Sequence, residues 1–436
     1  MHGRTEGDRG PDKSSHSTVV RAATHTPVRR DLAVDHLHVR RHNLSLVLRL
    51  LAGKEPRSRA GIAAITGLTR ATVSSLASEL TELGLVREIG LEADGRRGRP
   101  ATLLELDGSH VVTIGVELNI GSISIYVRDL GGREVLQRRV ARSASEAADS
   151  TVLIEALGHE ITETIAVVTS QGRQLSGLTV AVPGVVDLEH GSVRFAPNLG
   201  WRDVHLLDEI RRVVGPRVAL WLDNEANLGA IAEYRAGAFA GTRNLVYLLI
   251  ENGVGGGLIV NGALQRGASG AAGEVGHTTV QPVNGRLCGC GRFGCLETMA
   301  GLPALLRSTV PDLAEALLAD SDLEYEARTT AVIDGARRGD RAVLDGLDDW
   351  AYWVGIGVAN LIDLLDPEAI VLAGHPWHLA PWVLQRIIDT AAANSMPGSL
   401  DSCRIDVSAL GFSAAALGGA IHAAERIFTD PKLIAS

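Results

Sequence analysis

The sequence predicts a mixed fold in which a long α/β body follows a small α+β unit. From residue 109 onward, apolar stretches typical of buried strands alternate with helical stretches, which is the pattern of an α/β domain. Before that point, three short helical segments precede two stretches with the character of a β-hairpin. The 436 residues are enough for two or three domains of ordinary size.

The composition excludes two classes of protein. The chain is 45% hydrophobic and 21% charged, as in globular proteins with a large core, and its four cysteines are too few for a secreted disulfide scaffold. The longest apolar region, residues 353–374, is interrupted by Asp363, Asp366 and Glu368. Because residues 1–40 also lack the apolar segment of a signal peptide, we expect a cytoplasmic protein that does not enter a membrane.

The charge is distributed unevenly. Residues 1–108 carry 17 basic and 13 acidic side chains, whereas the rest carries 25 basic and 38 acidic ones, for a net charge of −9. Residues 1–108 are thus mildly basic and the rest of the chain is acidic. This indicates that only the N-terminal part binds a polyanion, although so small an excess could also arise by chance.

The polar residues 1–40 have no hydrophobic periodicity, which predicts a disordered tail. The small unit then spans residues 41–108. Its first helix ends at Gly53 and is predicted by an apolar stripe at helical spacing, Leu44, Val47, Leu48 and Leu51.

Two further helices predict a helix-turn-helix. The second carries the small residues Ala60, Ala63 and Ala64, and Gly67 permits a tight turn. The third has Thr69 as its N-cap and a buried stripe at Val73, Leu76, Leu80 and Leu83. Its polar N-terminal end can reach base edges and phosphates of DNA through Thr69, Arg70, Thr72, Ser74 and Ser75.

A hairpin follows the third helix, which Gly84 ends. The stretches "LVREIG" and "ATLLELD" are predicted strands, and "EADGRRGRP" between them forms a cationic wing suited to a phosphate backbone through Arg96, Arg97 and Arg99. A solvated loop beside a three-helix unit is the alternative. We favour a winged helix-turn-helix because all the signals occur in the required order.

The body is predicted strand by strand. The stretch 111–118 is a buried strand that pairs with 122–130, and 176–187 is another strand. Residues 218–238 run from a strand into a helix, and 244–264 form a strand pair joined by glycines.

Three of the four cysteines lie within eight positions. Cys288, Cys290 and Cys295 have the spacing C-x-C-x4-C, and His277 precedes them by eleven residues. Three thiolates and an imidazole form a common tetrahedral set for structural Zn²⁺, with no open position for water. A disulfide pair and a redox-active thiol are the alternatives, the first disfavoured in the cytoplasm. Cys403 is expected to be a core strand residue.

Five motifs in a fixed order carry a resemblance to a known family: "VPGVVD…APNLGW", "NEAN", "GVGGGLIVNG", "GEVGH" and "CGCGRFGCLE". The chain resembles the ROK family of repressors, open reading frames and kinases, and its N-terminal unit resembles the repressor branch. The resemblance implies a two-lobed actin-like (ribonuclease H-like) body with a hexose-type site in the cleft between lobes. Residues 109–436 would form this sugar-binding domain, with 109–225 and the C-terminal helix 414–430 in lobe one and 226–413 in lobe two.

The resemblance also implies the sugar contacts, at Asn198, Asn224, Glu225, Glu274, His277 and Glu297. Carboxylates and amides suit this role because they pair with adjacent sugar hydroxyls. The alternative for each residue alone is an ordinary surface polar group. Trp201 could stack on a sugar face, but a core tryptophan is favoured.

The kinases of this family carry a D-x-G-G-T phosphate loop and an N-D-A-N base. Here Glu117 stands for the Asp of the loop, and Asn119 and Ile120 stand for its glycines. Glu225 stands at the base position, one methylene longer, and a third departure is "LAGHP" at 372–376. We therefore expect no catalytic residue and no enzyme activity.

These patterns predict a sugar-responsive transcriptional regulator, a repressor, that binds an operator in double-stranded DNA as a homodimer or dimer of dimers. A sugar or sugar phosphate in the cleft would change lobe closure and thereby DNA binding. The rival hypothesis is an ATP-dependent sugar kinase with an accessory DNA-binding domain. A third, regulation by a protein that removes the chain from DNA, stays open.

Overall fold

A computed structural model describes residues 36–53, 55–91, 102–142, 150–320, 323 and 326–434. Its first helix begins at His36, so the predicted tail 1–40 was too long by five residues, and the remainder of it, 1–35, lies outside the described residues. The additional helical turn brings Arg40 to the third helix, where its Nε donates to Glu79 Oε2 at 2.8 Å.

The small unit has the three helices and the hairpin in the predicted order, with an additional two-residue strand between the first two helices that was not predicted. The elements are α1 (His36–Ala52), β1 (Arg57–Ser58), α2 (Arg59–Thr66), α3 (Arg70–Glu82), β2 (Val86–Leu91) and β3 (Thr102–Leu106). Strand β3 lies between β1 and β2, antiparallel to both. The chain turns at Gly67, and the Thr69 hydroxyl caps α3 by accepting from Thr72 N at 3.1 Å. The predicted stripes form one core, in which Leu83 is only partly buried.

Lobe one is built on a five-stranded sheet in the order β11-β7-β4-β5-β6. Strands β4 and β5 pair antiparallel as predicted, while β7 runs parallel to both β4 and β11. Its elements are β4 (Val111–Leu118), β5 (Ser122–Asp129), β6 (Glu134–Ala141), α4 (Ser150–Ser170), β7 (Gln174–Val182), β8 (Val185–Asp187), β9 (Ser192–Ala196), β10 (Trp201–Val204), α5 (Leu206–Val214) and β11 (Ala219–Asn224).

The stretch 176–187, predicted as one strand, is divided between β7 and β8. Pro183 and Gly184 separate the two strands. Gly184 has a φ of 88°, and a Cβ there would lie 2.2 Å from the carbonyl oxygen of Phe195. The tight turn lets β8 leave the main sheet and join the small antiparallel sheet β10-β9-β8, which the sequence did not predict.

Lobe two is built on a second five-stranded sheet in the order β14-β13-β12-β15-β16. Helices cover it around a core that includes the fully buried Trp350. The elements are α6 (Glu225–Ala236), β12 (Leu245–Ile250), β13 (Val254–Val260), β14 (Ala263–Gln265), α7 (Glu297–Ala300), α8 (Leu302–Thr309), α9 (Pro311–Ala319), α10 (Thr330–Arg337), α11 (Arg341–Leu365), β15 (Ala369–Gly374), α12 (His375–Asn394) and β16 (Arg404–Val407).

The C-terminal helix α13 (Ala414–Thr429) returns to lobe one, where it lies on β4 and β7 and against α6. Gly115 of β4 allows the approach, since a Cβ there would lie 1.8 Å from the carbonyl oxygen of Ala416. The far end of α13 enters the core of the small unit through Ala424 and Ile427. A single helix therefore belongs to both parts of the protein. Within the described ranges, no helix is both long and apolar enough to cross a bilayer.

Candidate functional site

A cavity of about 350 Å³ lies where the two lobes meet. One wall follows the ends of β4, β7 and β11, and the other is formed by the β12–β13 turn and residues 270–277. The six residues expected to contact a sugar all line it: Asn198, Asn224, Glu225, Glu274, His277 and Glu297. The structure thus brings together side chains from positions 198 to 297.

Two asparagines line the cavity differently. The side chain of Asn224 is already engaged, since its Oδ1 accepts from the backbone N of Ala226 and Asn227 at 2.8 and 3.2 Å. Its Nδ2 donates to the carbonyl oxygen of Gly184 at 3.0 Å. Asn224 therefore caps α6 and ties it to the turn after β7, whereas Asn198 follows β9 and is exposed.

The imidazole of His277 faces both the cavity and the cysteines. Its Nε2 lies 3.8 Å from Glu274 Oε2, and its Nδ1 lies 3.5 Å from Cys288 Sγ. Glu297 Oε2 accepts from Val254 N at 3.2 Å, which joins this group to the β12–β13 turn. Burial raises the pKa of the Glu274 carboxyl above its ordinary value.

The Cys3His cluster comprises His277, Cys288, Cys290 and Cys295. Its four ligand atoms all lie within 4.8 Å of one another, and Cys290 Sγ lies 3.8 Å from Cys295 Sγ. Two sulfurs bound to one tetrahedral Zn²⁺ are separated by about 3.8 Å, so the donor set fits a metal ion. All four cysteines are free thiols. Cys403 is buried as predicted, but it lies immediately before β16 rather than within a strand.

A group that the sequence argument missed lies at the inner end of the cavity. The carboxyl trio consists of Glu117 on β4, Glu225 at the start of α6 and Glu251 after β12. Burial, followed by the charge of Glu251, raises the pKa of Glu117 to about 8. The same causes, with Glu117 contributing, raise the pKa of Glu225 well above its usual range. In the sequence, Glu251 is recognisable as a charged residue directly after the apolar strand 245–250. The glycines that follow it predict only a tight turn.

Side chains are present within residues 117–120 and 372–376, the two stretches that the family resemblance equates with a kinase's nucleotide loops. Asn119 Nδ2 donates to Glu251 Oε2 at 2.7 Å, and its Oδ1 accepts from Ile120 N at 2.8 Å. Ile120 packs against the core of lobe one. His375 is buried at the start of α12, and burial lowers its pKa to about 3. Trp201 is also buried, in the core of lobe one, as favoured above.

The polar end of α3 is accessible. Thr69, Arg70 and Ser74 are exposed, and Thr72 is half-buried. Ser75 is exposed too, but its hydroxyl accepts from Arg40 Nη2 at 3.2 Å, so it lies on the side facing α1. The wing residues lie outside the described part of the chain: Arg96, Arg97 and Arg99.

Ion pairs join the small unit to the body. Glu425 of α13 pairs with Arg49 of α1 at 3.0 Å and with Arg235 of α6 at 3.2 Å. Glu79 of α3 pairs with Arg40 at 2.5 Å and lies 3.6 Å from Lys432 Nζ. These half-exposed pairs add little stability, but they set the orientation of the unit on the body.

Two family profiles match the chain. The profile described as ROK family matches residues 113–426, and the MarR family profile matches residues 45–97. The xylose repressor of Bacillus spizizenii is 32% identical over 385 residues, which cover 88% of this chain and 95% of the relative.

Two solved structures are similar. A ROK family transcriptional regulator homologous to the Escherichia coli Mlc protein has a TM-score of 0.76 at 23% identity, covering 92% of this chain and all of that one, which shows the fold. A ROK family glucokinase from Streptomyces griseus, in complex with glucose and AMPPNP, has a TM-score of 0.61 at 30% identity over 72% of this chain and 99% of that one.

Proposed function

The chain belongs to the ROK family, and from that premise we propose that it is a DNA-binding transcriptional repressor whose operator affinity changes when a sugar binds. Residues 41–108 bind DNA in this proposal, and residues 109–436 bind the sugar. The similarity to a xylose repressor and to a ROK transcriptional regulator supports it, as does the match of residues 45–97 to the MarR family.

The observation that carries the proposal is that α13 belongs to both parts of the protein. Its Ala424 and Ile427 pack in one core with Leu44 and Leu48 of α1. Along its length it also lies against α6, whose first residue, Glu225, lines the cavity. A change in lobe closure therefore has a packed route to the DNA-binding unit, which is the physical requirement for a shift between two states.

The cavity suits a sugar because most of its polar groups are carboxylates, amides and an imidazole, and Arg292 is the single arginine or lysine among the described residues that line it. Asn198, Glu274, His277 and Glu297 can each pair with sugar hydroxyls, which both donate and accept. Asn224 supports the wall, since its own hydrogen bonds are used. Glu225 faces the inner end, where it can hold a hydroxyl without acting as a base.

We propose that the Cys3His cluster holds a structural Zn²⁺. Three thiolates are soft donors that favour this ion, and four protein ligands leave no position for a reactive water. The metal would cross-link the loop that carries His277 and Glu297. Both proposed sugar-binding groups would thereby be held in place beside the cavity.

The DNA contacts are proposed at the exposed end of α3 and in the wing, through Thr69, Arg70, Thr72, Ser74, Arg96, Arg97 and Arg99, with Ser75 turned toward α1. Motifs of this type read paired half-sites, so the active form is a homodimer or dimer of dimers on an operator. Such a protein acts in the cytoplasm, where its DNA is.

We do not propose a kinase. Family kinases place backbone N–H groups at the phosphates, whereas here Asn119 and Ile120 fill that loop and Glu251 accepts from Asn119. The similarity to a glucokinase supports sugar binding without requiring phosphoryl transfer. A coupled ATPase assay with hexoses and amino sugars is expected to show no turnover; turnover that Glu225→Gln abolishes would support the rival.

Fluorescence anisotropy on DNA from the region upstream of the chain's own gene tests the proposal. We expect sequence-specific binding and at least a tenfold change in apparent Kd with one of D-xylose, D-glucose or N-acetyl-D-glucosamine. Glu274→Gln should remove the sugar response and keep DNA binding, while Glu189→Gln, an exposed carboxylate, should change neither. Sequence-indifferent binding that no sugar alters would refute the proposal.

The salt dependence of the same titration tests the wing. Replacing Arg97 and Arg99 by Ala should reduce the slope of log K against log salt by about 1–2, because each lost phosphate contact removes about 0.9. Arg341→Ala, an exposed arginine on α11, is the matched control and should leave the slope unchanged. An unchanged slope in the wing variant would exclude these arginines from the DNA contacts.

A further inference from the structure

Two carboxyls from separate elements line the cavity, Glu225 and Glu251, and a third, Glu117 on β4, is buried and interacts electrostatically with them. Glu117 is 6% exposed and Glu251 is 9% exposed. Their charges act on one another, since Glu117 and Glu251 both oppose ionisation of Glu225. Three buried carboxylates this close are not all ionised together near neutral pH.

The carboxyl trio has few partners within the protein. Asn119 donates to Glu251 Oε2 at 2.7 Å. Glu117 Oε2 and Glu225 Oε2 are buried and have no hydrogen-bond partner among the described residues. Since a buried polar atom without a partner is costly, these two oxygens mark a place where a ligand group completes the site.

Positive charge near the trio is limited. Arg139 of β6 favours ionisation of Glu117 and Glu251. Its guanidinium has other contacts as well: Nε donates to Ser122 Oγ at 3.1 Å, and the group lies 4.6 Å from the ring centre of Phe412. Among the described residues that line the cavity, Arg292 is the single arginine or lysine. Its Nη2 donates to the carbonyl oxygen of His277 at 2.6 Å, beside the Cys3His cluster.

A sugar hydroxyl and a phosphate differ in what they require from such a wall. A hydroxyl donates to a carboxylate and accepts from a protonated carboxyl, so it pairs with the trio in either state. A phosphate offers only acceptors and negative charge. A protonated carboxyl can donate to it but does not neutralise its charge, so a phosphate also needs cations or several free backbone N–H groups. Placed against the trio, it would be repelled by any ionised carboxylate in a medium that screens poorly.

We propose that the carboxyl trio restricts the ligand of this cavity to uncharged sugars and excludes sugar phosphates and nucleotides. This inference rests on the proposed sugar-binding function and narrows its ligand class. Glu251 is the selecting residue, because it opens the glycine run of the β12–β13 turn and places a carboxylate where that turn would otherwise offer bare backbone.

Isothermal titration of the full-length protein tests the inference. The probes are D-xylose, D-glucose and N-acetyl-D-glucosamine, their phosphate monoesters, and AMPPNP with Mg²⁺. We expect at least one sugar to bind and its phosphate ester to bind at least 100-fold more weakly. A phosphate ester whose Kd is within tenfold of that of its sugar, or lower, would overturn the inference. The proposed function would still hold in that case, with a sugar phosphate as the ligand.

Two variants assign the effect to the trio. Glu251→Gln should reduce the discrimination between sugar and phosphate ester at least tenfold, and Glu225→Gln should do the same. Glu315→Gln makes the same charge change at an exposed position on α9 and should leave it unchanged. Unchanged discrimination in both trio variants, with melting curves that show folded protein, would also overturn the inference. If no probe binds and none alters DNA binding, the proposed function itself fails.

Discussion

The Cys3His cluster and the carboxyl trio lie on the same cavity, and each crowds groups that can become negative. In the cluster, four ligand atoms lie within 4.8 Å of one another, at the spacing of a tetrahedral metal site. In the trio, Glu117 and Glu251 share one neutral amide, Asn119, and the influence of Arg139. The first arrangement would be neutralised by the proposed Zn²⁺ and the second by protons.

This difference separates what holds the cavity together from what makes it selective. A metal site with four protein ligands cross-links its loop, and its formation requires deprotonated thiols. A group of buried carboxyls changes its charge over the neutral range, and its electrostatic field reaches any ligand in the cavity. We infer that the cluster sets the shape of the sugar site and the trio sets its charge.

Removing one ligand from the cluster should have the largest effect. Cys290→Ser should release the metal and lower the free energy of unfolding by several kcal/mol, because binding energy at such a site is folding energy. The sugar response should be lost with it. Elemental analysis and thermal melting measure both, and Cys403→Ser, another buried thiol outside the cluster, is the control that should keep the metal. Unchanged metal content in Cys290→Ser would refute the ligand assignment.

Replacing Glu117 of the trio by glutamine should stabilise the protein more at high pH than at low pH. The pKa of Glu117 is about 8 in the folded state, above its ordinary value of 4.5. The unfolded chain therefore releases this proton first, and the stability of the native protein falls as the pH rises from about 5 to 8. Glu117→Gln should remove this loss, with a gain of about 2 kcal/mol or more at pH 9 relative to pH 5.

Denaturant melts of both proteins across that range measure the difference. The control is Glu160→Gln, a buried glutamate that pairs with Arg138 at 2.8 Å and Arg142 at 3.1 Å. Because that carboxylate has cationic partners, its neutralisation should destabilise the protein. If the free energy of unfolding of the native protein and of Glu117→Gln changed with pH in parallel, ionisation of Glu117 would not destabilise the fold.

The smallest effect is expected from the hydrogen bond between Asn119, which follows β4 of lobe one, and Glu251 of the trio. Asn119→Ala removes the donor to Glu251 Oε2 and should cost about 1 kcal/mol at pH 9, where more of that carboxyl is ionised than at pH 5. The cost should be smaller at pH 5, because the bond lowers the pKa of Glu251 and matters most to the ionised form. An equal loss at both values would indicate that Asn119 acts through packing alone.

Much of the fold followed from local patterns in the sequence. Thr69 caps α3 and the stripe from Val73 to Leu80 is buried, because helix signals depend on neighbours within one or two turns. The ROK motifs predicted a sugar site in the cleft between the lobes, and Glu274 and Glu297 both line the cavity that lies there. The boundary at residue 40 was wrong, since α1 begins at His36 and its Arg40 pairs with Glu79 of another helix.

The sequence by itself determined the three helices and the hairpin of the small unit and the Cys3His donor set, since periodicity and the eight-residue cysteine spacing are local properties of the chain. Only the tertiary structure decided that Glu117, Glu225 and Glu251 share one buried space, that Asn224 is committed to backbone groups, and that α13 joins the cavity to the DNA-binding unit. Burial and electrostatic fields depend on residues that are more than a hundred positions apart, and these meet only when the two lobes and the last helix pack together.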